Sequence, residues 1–104
     1  MSAASNYLEN AALNHVLGNA TLTQPSALYL GLFTNSSGAA GTNLENGTLS
    51  DEISGGGYNR ETITFGGAVN GTSDSDVTVT FPAATANWGT VTHIAVMDAA
   101  TGGN

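Results

Sequence analysis

The chain has no cysteine and no lysine, a single arginine (Arg60) and only two prolines, Pro25 and Pro82. Without cysteine, no disulfide is available to staple so short a polypeptide. One cation stands against eight acidic residues, for a net charge of −7. That balance excludes binding to a phosphate backbone, which takes clusters of Lys and Arg. The same deficit excludes an anionic membrane surface. Nowhere does an apolar run approach the ~20 residues of a membrane-spanning helix. The N-terminus carries no basic region ahead of an apolar core, so no secretory leader is expected. The Asn-x-Ser/Thr sequons at Asn19, Asn35, Asn46 and Asn70 are then by-products of composition.

What the chain does have is glycine, 14 of its 104 residues, with much Ser, Thr, Asn and Ala. Its length predicts a single small domain over 1–104, of a size that buries only a modest share of its surface. The expected fold is mainly β (α+β): a short N-terminal helix packed on an antiparallel sheet or sandwich.

The helix is predicted over 5–17. Asn6 and Glu9 have capping-box spacing, Ser5 is an alternative cap, and Gly18 sits where a C-terminal cap belongs. Leu8, Ala12, Leu13, Val16 and Leu17 form its apolar stripe. After a linker closed by Pro25, Ala27–Thr34 reads as a strand with Leu28, Leu30 and Leu32 on one face and Tyr29, Gly31 and Phe33 on the other. Apolar residues on both faces predict a central or doubly covered strand. Residues 35–57 read as a long loop without periodicity, ending in Gly55-Gly56-Gly57. Tyr58–Phe65 alternates, with Ile63 and Phe65 assigned to the core side and Arg60, Thr62 and Thr64 to the other. Asn70-Gly71 marks a turn, and Val77, Val79 and Phe81 a further strand closed by Pro82. Val91–Asp98 is the last predicted strand, with Ile94 and Val96 facing opposite to His93 and Met97. The Ala99–Asn104 segment after it reads as a turn, so a partner for the edge of Val91–Asp98 is expected from further strands or another subunit.

Chemistry-bearing residues are few. His15 and His93 are the only imidazoles, and with no cysteine they fall short of a zinc set; both read as surface or half-buried polar groups. Glu45, Asp51 and Glu52 offer calcium-type oxygens without EF-hand spacing, and a solvated acidic loop is the preferred reading. No Gly-x-Ser-x-Gly elbow supports a serine nucleophile. Gly55-Gly56-Gly57 is followed by no Lys-bearing helix and reads as a sharp turn rather than a phosphate cradle. Catalytic, cofactor-binding and metal residues are therefore all expected to be absent, and the chain is read as no enzyme. Arg60, beside Glu61 and the acidic loop, is expected to be paired. Tyr58 and Trp88 are candidate aromatic anchors of an interface or the core, core packing being preferred for Trp88. With Arg60, Val91, His93 and Met97 they make up the candidate interface set.

Four pieces stand in a specific order: Ser5-Asn-Tyr-Leu-Glu-Asn-Ala-Ala-Leu-Asn-His15, Ala27-Leu-Tyr-Leu-Gly-Leu-Phe-Thr34, Gly55-Gly-Gly-Tyr-Asn-Arg60, and Phe81-Pro-Ala-Ala-Thr-Ala-Asn-Trp-Gly-Thr-Val-Thr-His-Ile-Ala-Val-Met-Asp98. Together they resemble a family of small virion proteins of tailed bacteriophages, cyanophages among them. Members are labelled tail fibre protein or structural protein. The resemblance implies further strands beyond the position of Asn104, and it carries no catalytic residue. It implies location in the virion, assembly in the host cytoplasm, and contact with other virion proteins and with copies of itself. The function expected is a multi-copy decoration (cement) protein of the capsid surface. The alternative is a tail fibre or baseplate-associated protein with a receptor- or glycan-binding role.

Overall fold

The computed structural model describes residues 3–104. Its elements run α1 (Asn6–Val16), β1 (Leu28–Phe33), α2 (Ala40–Glu45), β2 (Glu61–Ile63) and β3 (His93–Met97). The strands form one antiparallel sheet in the order β2-β1-β3. This is the mainly β, α+β class expected from the sequence, as a single open sheet rather than a sandwich. β1 is central, as its two apolar faces predict.

The register fixes which side chains share a face, because directly opposed residues of an antiparallel pair point the same way. Tyr29 opposes Met97, Gly31 opposes Ala95 and Phe33 opposes His93. This is the inner face: Phe33 is fully buried and Met97 is 4% exposed. Segment 35–57 closes over it. Where the sequence suggests an irregular loop, that segment contains α2 and returns to bridge Phe33 through Glu52. Ala40 of α2 and Ile53 join the buried core. Six residues of mixed type give no helical period; α2 begins because the Asn35 side-chain oxygen accepts from the Ala40 N–H at 3.0 Å.

The other face of the sheet carries Leu28, Leu30 and Leu32 of β1 and Ile94 and Val96 of β3. Its β2 end is covered, with Ile63 opposite Leu28 only 7% exposed, but its β3 side is open: Ile94 is 63% and Val96 45% exposed.

α1 corrects the expected packing. No residue of it is buried, and Leu13, Val16 and Leu17 are 57%, 78% and 69% exposed. It is capped by Ser5, not Asn6: the Ser5 hydroxyl accepts from Leu8 N–H at 3.3 Å, and Asn6 instead donates to the Asn46 side chain at 2.8 Å. That bond ties the helix to the end of α2, away from the Leu/Ile/Val face. His15 closes the other end, its Nδ1 accepting from Leu22 N–H at 3.1 Å.

Two further expectations shift. Tyr58–Phe65 shrinks to the three residues of β2, and the predicted strand at Val77–Phe81 forms no ladder. Instead, Asn70 and Gly71, with φ of 52° and 76°, close a small hairpin held by the Phe65–Ser75 and Val69–Thr72 bridges. Positive φ at both central residues is the type I′ geometry that an Asn-Gly pair favours. The hairpin lies in solvent, with Val69 68% exposed.

Candidate functional site

Arg60 is the organising residue. Thr62 opposes Tyr29, so the side of the strand shared by Arg60 and Thr62 is the inner Gly31/Phe33 face, opposite to the assignment from alternation, and the Arg60 side chain is 1% exposed. Its Nε and Nη2 donate to the two oxygens of Glu52 at 2.6 and 2.7 Å, a bidentate pair. Nη1 donates to the carbonyls of Ala99 and Gly102 at 2.7 and 2.8 Å. The expected pairing is thus made with the acidic segment, not with Glu61. The Glu52 hydrogen bonds hold the guanidinium charge still more firmly than usual.

Gly31 makes room for this pair. A Cβ there would stand 3.0 Å from the Phe33 ring and 3.5 Å from both Arg60 Nε and Glu52 Oε1. Tyr58 completes the cluster, its hydroxyl donating to Glu52 Oε1 at 3.0 Å and accepting from Leu32 N–H at 3.0 Å. Burial pushes the phenol above its ordinary pKa.

Around Tyr58 the aromatic rings gather. Phe81 stacks on it with centroids 6.2 Å apart, and Trp88 meets it edge-on at 5.6 Å. Trp88 Nε1 donates to Gly56 O at 2.8 Å. Gly56 has φ +59°, and a Cβ on it would lie 2.8 Å from Trp88 Nε1. The glycine run therefore turns the chain, as expected, and also seats the tryptophan. One side of Trp88 lines a shallow open groove of about 620 Å³ with Asn35, Ser36, Asn87 and Thr92.

Asp51 is the centre of a second polar knot. It is 3% exposed, not part of a solvated loop. Its Oδ1 accepts from the Ser36 hydroxyl at 2.9 Å and the Ser37 N–H at 2.8 Å; its Oδ2 accepts from the Ser37 hydroxyl at 2.6 Å and Asn43 Nδ2 at 3.2 Å. The Ser37 hydroxyl, then the Ser37 N–H, lower its pKa from 3.8 to about 2. A depressed folded-state pKa stabilises the fold above the unfolded value and loses that contribution as pH falls through the folded one. The melting temperature is expected to fall between about pH 4 and pH 2 in the native chain. Asp51→Asn, which places an NH₂ against the Asn43 donor, should melt lower at pH 7 and show a shallower acid slope. Parallel melts of the two proteins check this, and equal slopes would refute it.

The candidate interface set therefore divides. Arg60, Tyr58 and Trp88 come together in contacts within the chain, Tyr58 and Trp88 half-buried, and Met97 is buried opposite Tyr29 on the inner face. His93 is half-buried beside α2, where a Cβ on Gly41 would come within 3.8 Å of its Nε2. Val91 stays 42% exposed. Sequence reasoning missed the apolar side chains left facing solvent, Leu13, Val16 and Leu17 on α1 and Ile94 and Val96 on β3. Their pattern was legible; that they meet nothing was not. Among the described residues, no three His, Cys, Asp or Glu side chains cluster as metal ligands.

A family model described as "Podophage GP4 fiber I protein gp80" matches residues 3–104. No curated protein and no solved structure matches.

Proposed function

Because the chain belongs to the podophage GP4 fiber I protein gp80 family, we propose that it is a non-enzymatic building piece of the virion tail fibre. Membership makes it a phage structural protein of fibre type, associated with other virion components. The proposal adds its place on the tail, in preference to the capsid-surface decoration role expected from the sequence. One observation carries it: the model of a fibre protein family matches the chain from residue 3 to residue 104. The arrangement of side chains agrees. Arg60, Glu52, Asp51 and Tyr58, the groups best suited to chemistry, are consumed by hydrogen bonds that hold the fold. The open groove beside Trp88, lined by Asn35, Ser36, Asn87 and Thr92, is the place proposed for receptor contact.

Immunogold labelling of purified virions with an antibody to this chain tests the placement. Gold confined to the tail is the expected result. Gold spread evenly over the shell would overturn it and restore the decoration role.

A further inference from the structure

The chain exposes more surface than its mass requires. A compact monomer of its 10.4 kDa presents about 5,400 Å² by the usual scaling. This chain presents 6844 Å². Its Cα radius of gyration is 14.8 Å, against about 13 Å for a compact domain of this length. The excess of about 1,400 Å² is close to two standard interface patches of ~800 Å² each.

Two apolar surfaces account for the character of that excess. One is the α1 stripe, where Leu8, Leu13, Val16 and Leu17 are 46%, 57%, 78% and 69% exposed. The other is the outer sheet face, with Ile94 and Val96 beside the half-buried Leu30 and Leu32. An amphipathic helix and the open β3 side of a sheet face are mutually complementary layers. Within one chain they are held apart. Asn6 bonds to Asn46 at the end of α2, and α2 covers the inner face of the sheet beside His93. The helix is thus anchored on the side opposite the surface it would fit.

We infer that α1 of one copy packs its Leu8/Leu13/Val16/Leu17 stripe onto the Leu30/Leu32/Ile94/Val96 face of a second copy. Each chain then offers a helix at one side and accepts one at the other. Such a contact is heterologous, and it closes into a ring or continues as a filament according to the rotation between copies. The occupant is a second copy because one chain presents both halves of the contact, the exposed helix stripe and the open β3 side of the sheet, on separate elements. This deepens the fibre reading without depending on where the fibre sits.

The test uses the full chain in sedimentation velocity, with two variants at exposed positions. Leu13→Asp/Val16→Asp spoils the helix stripe and leaves the sheet face intact. Ile94→Asp/Val96→Asp does the reverse. The native chain should sediment as a multiple of 10.4 kDa and each variant as a monomer. An equimolar mixture of the two should regain a dimer, since one intact helix and one intact face remain. That rescue also shows that both variants are folded. A monomeric native chain would overturn the inference, whether another virion protein or the chain's own helix covers the face. So would a sheet variant that still self-associates, which means helix-on-helix contact, or a mixture that stays monomeric. Tail or capsid labelling of virions bears on none of these outcomes, so the two proposals fail separately.

Discussion

Arg60→Ala is expected to destabilise the chain by about 3 kcal/mol, the lower end for breaking a buried ion pair by removing one partner. The lower end applies because the Glu52 side chain keeps 19% exposure and regains some water when the arginine leaves. Two effects sum here. Glu52 loses both guanidinium donors and keeps only the Tyr58 hydroxyl on Oε1, and the Ala99 and Gly102 carbonyls lose theirs. The first effect belongs to the core and the second to the turn that follows β3, and they can be separated. Glu52→Gln leaves the 1%-exposed Arg60 cation without a counter-ion, so it should cost at least as much, but Arg60 still donates to both carbonyls and the turn should stay ordered. In Arg60→Ala, amide exchange at Asp98 and Asn104, which bond across that turn through Asp98 N–H to Asn104 O at 2.9 Å, should accelerate as well. Urea unfolding gives the stability loss and amide exchange gives the turn. A loss under 1 kcal/mol, the range of exposed pairs, would show that the bridge behaves as a surface contact.

Legibility in the sequence follows the range of the interaction that decides each feature. β1 and β3 are read correctly because alternation is local: Leu28, Leu30 and Leu32 against Tyr29, Gly31 and Phe33, and Ile94 and Val96 against His93 and Met97. The Asn70-Gly71 turn is read for the same reason, since its φ values depend on two residues alone. α2 escapes notice because its start depends on Asn35, outside the helix. Val77–Phe81 has strand-type residues but no partner, and Phe81 is recruited to stack on Tyr58 instead. β propensity describes fitness for a pleated, half-buried surface and creates no strand where none is adjacent.

The site shows the same division. That the lone arginine is paired is legible from charge alone. That its partner is Glu52, that Gly31 clears the space, and that the last turn supplies two carbonyls are matters of tertiary approach, which no spacing encodes. The helix stripe is the most instructive case. Its period is legible, but a sequence does not state whether such a stripe meets a partner within its own chain. α1 keeps the stripe and leaves it in solvent.

Phe33→Ala should be the most damaging single substitution, costing about 3–5 kcal/mol as a large buried ring gives way to a cavity. Among the described residues Phe33 is the one large side chain that is fully buried, and the other buried apolar residues are only Ala40, Ile53, Met97 and, on the opposite face of the sheet, Ile63. With so few neighbours to close the gap, the loss takes much of the ~5–15 kcal/mol that a small domain has in total. The backbone around it adds to the effect: Phe33 bridges Glu52, and its carbonyl accepts from Thr92 N–H at 3.0 Å, so the ring holds the segment after α2 and the approach to β3 together. The isolated variant should therefore be largely unfolded near 37 °C by circular dichroism. Association changes what is measured, because binding the folded form of a chain stabilises it by mass action. If copies join through α1 and the outer sheet face, raising the concentration of Phe33→Ala should recover folded signal, whereas the same variant carrying Leu13→Asp and Val16→Asp should not respond. A Phe33→Ala protein that melts within about 1 kcal/mol of the native chain at every concentration would mean that the inner face is not the core that sets the stability of the fold.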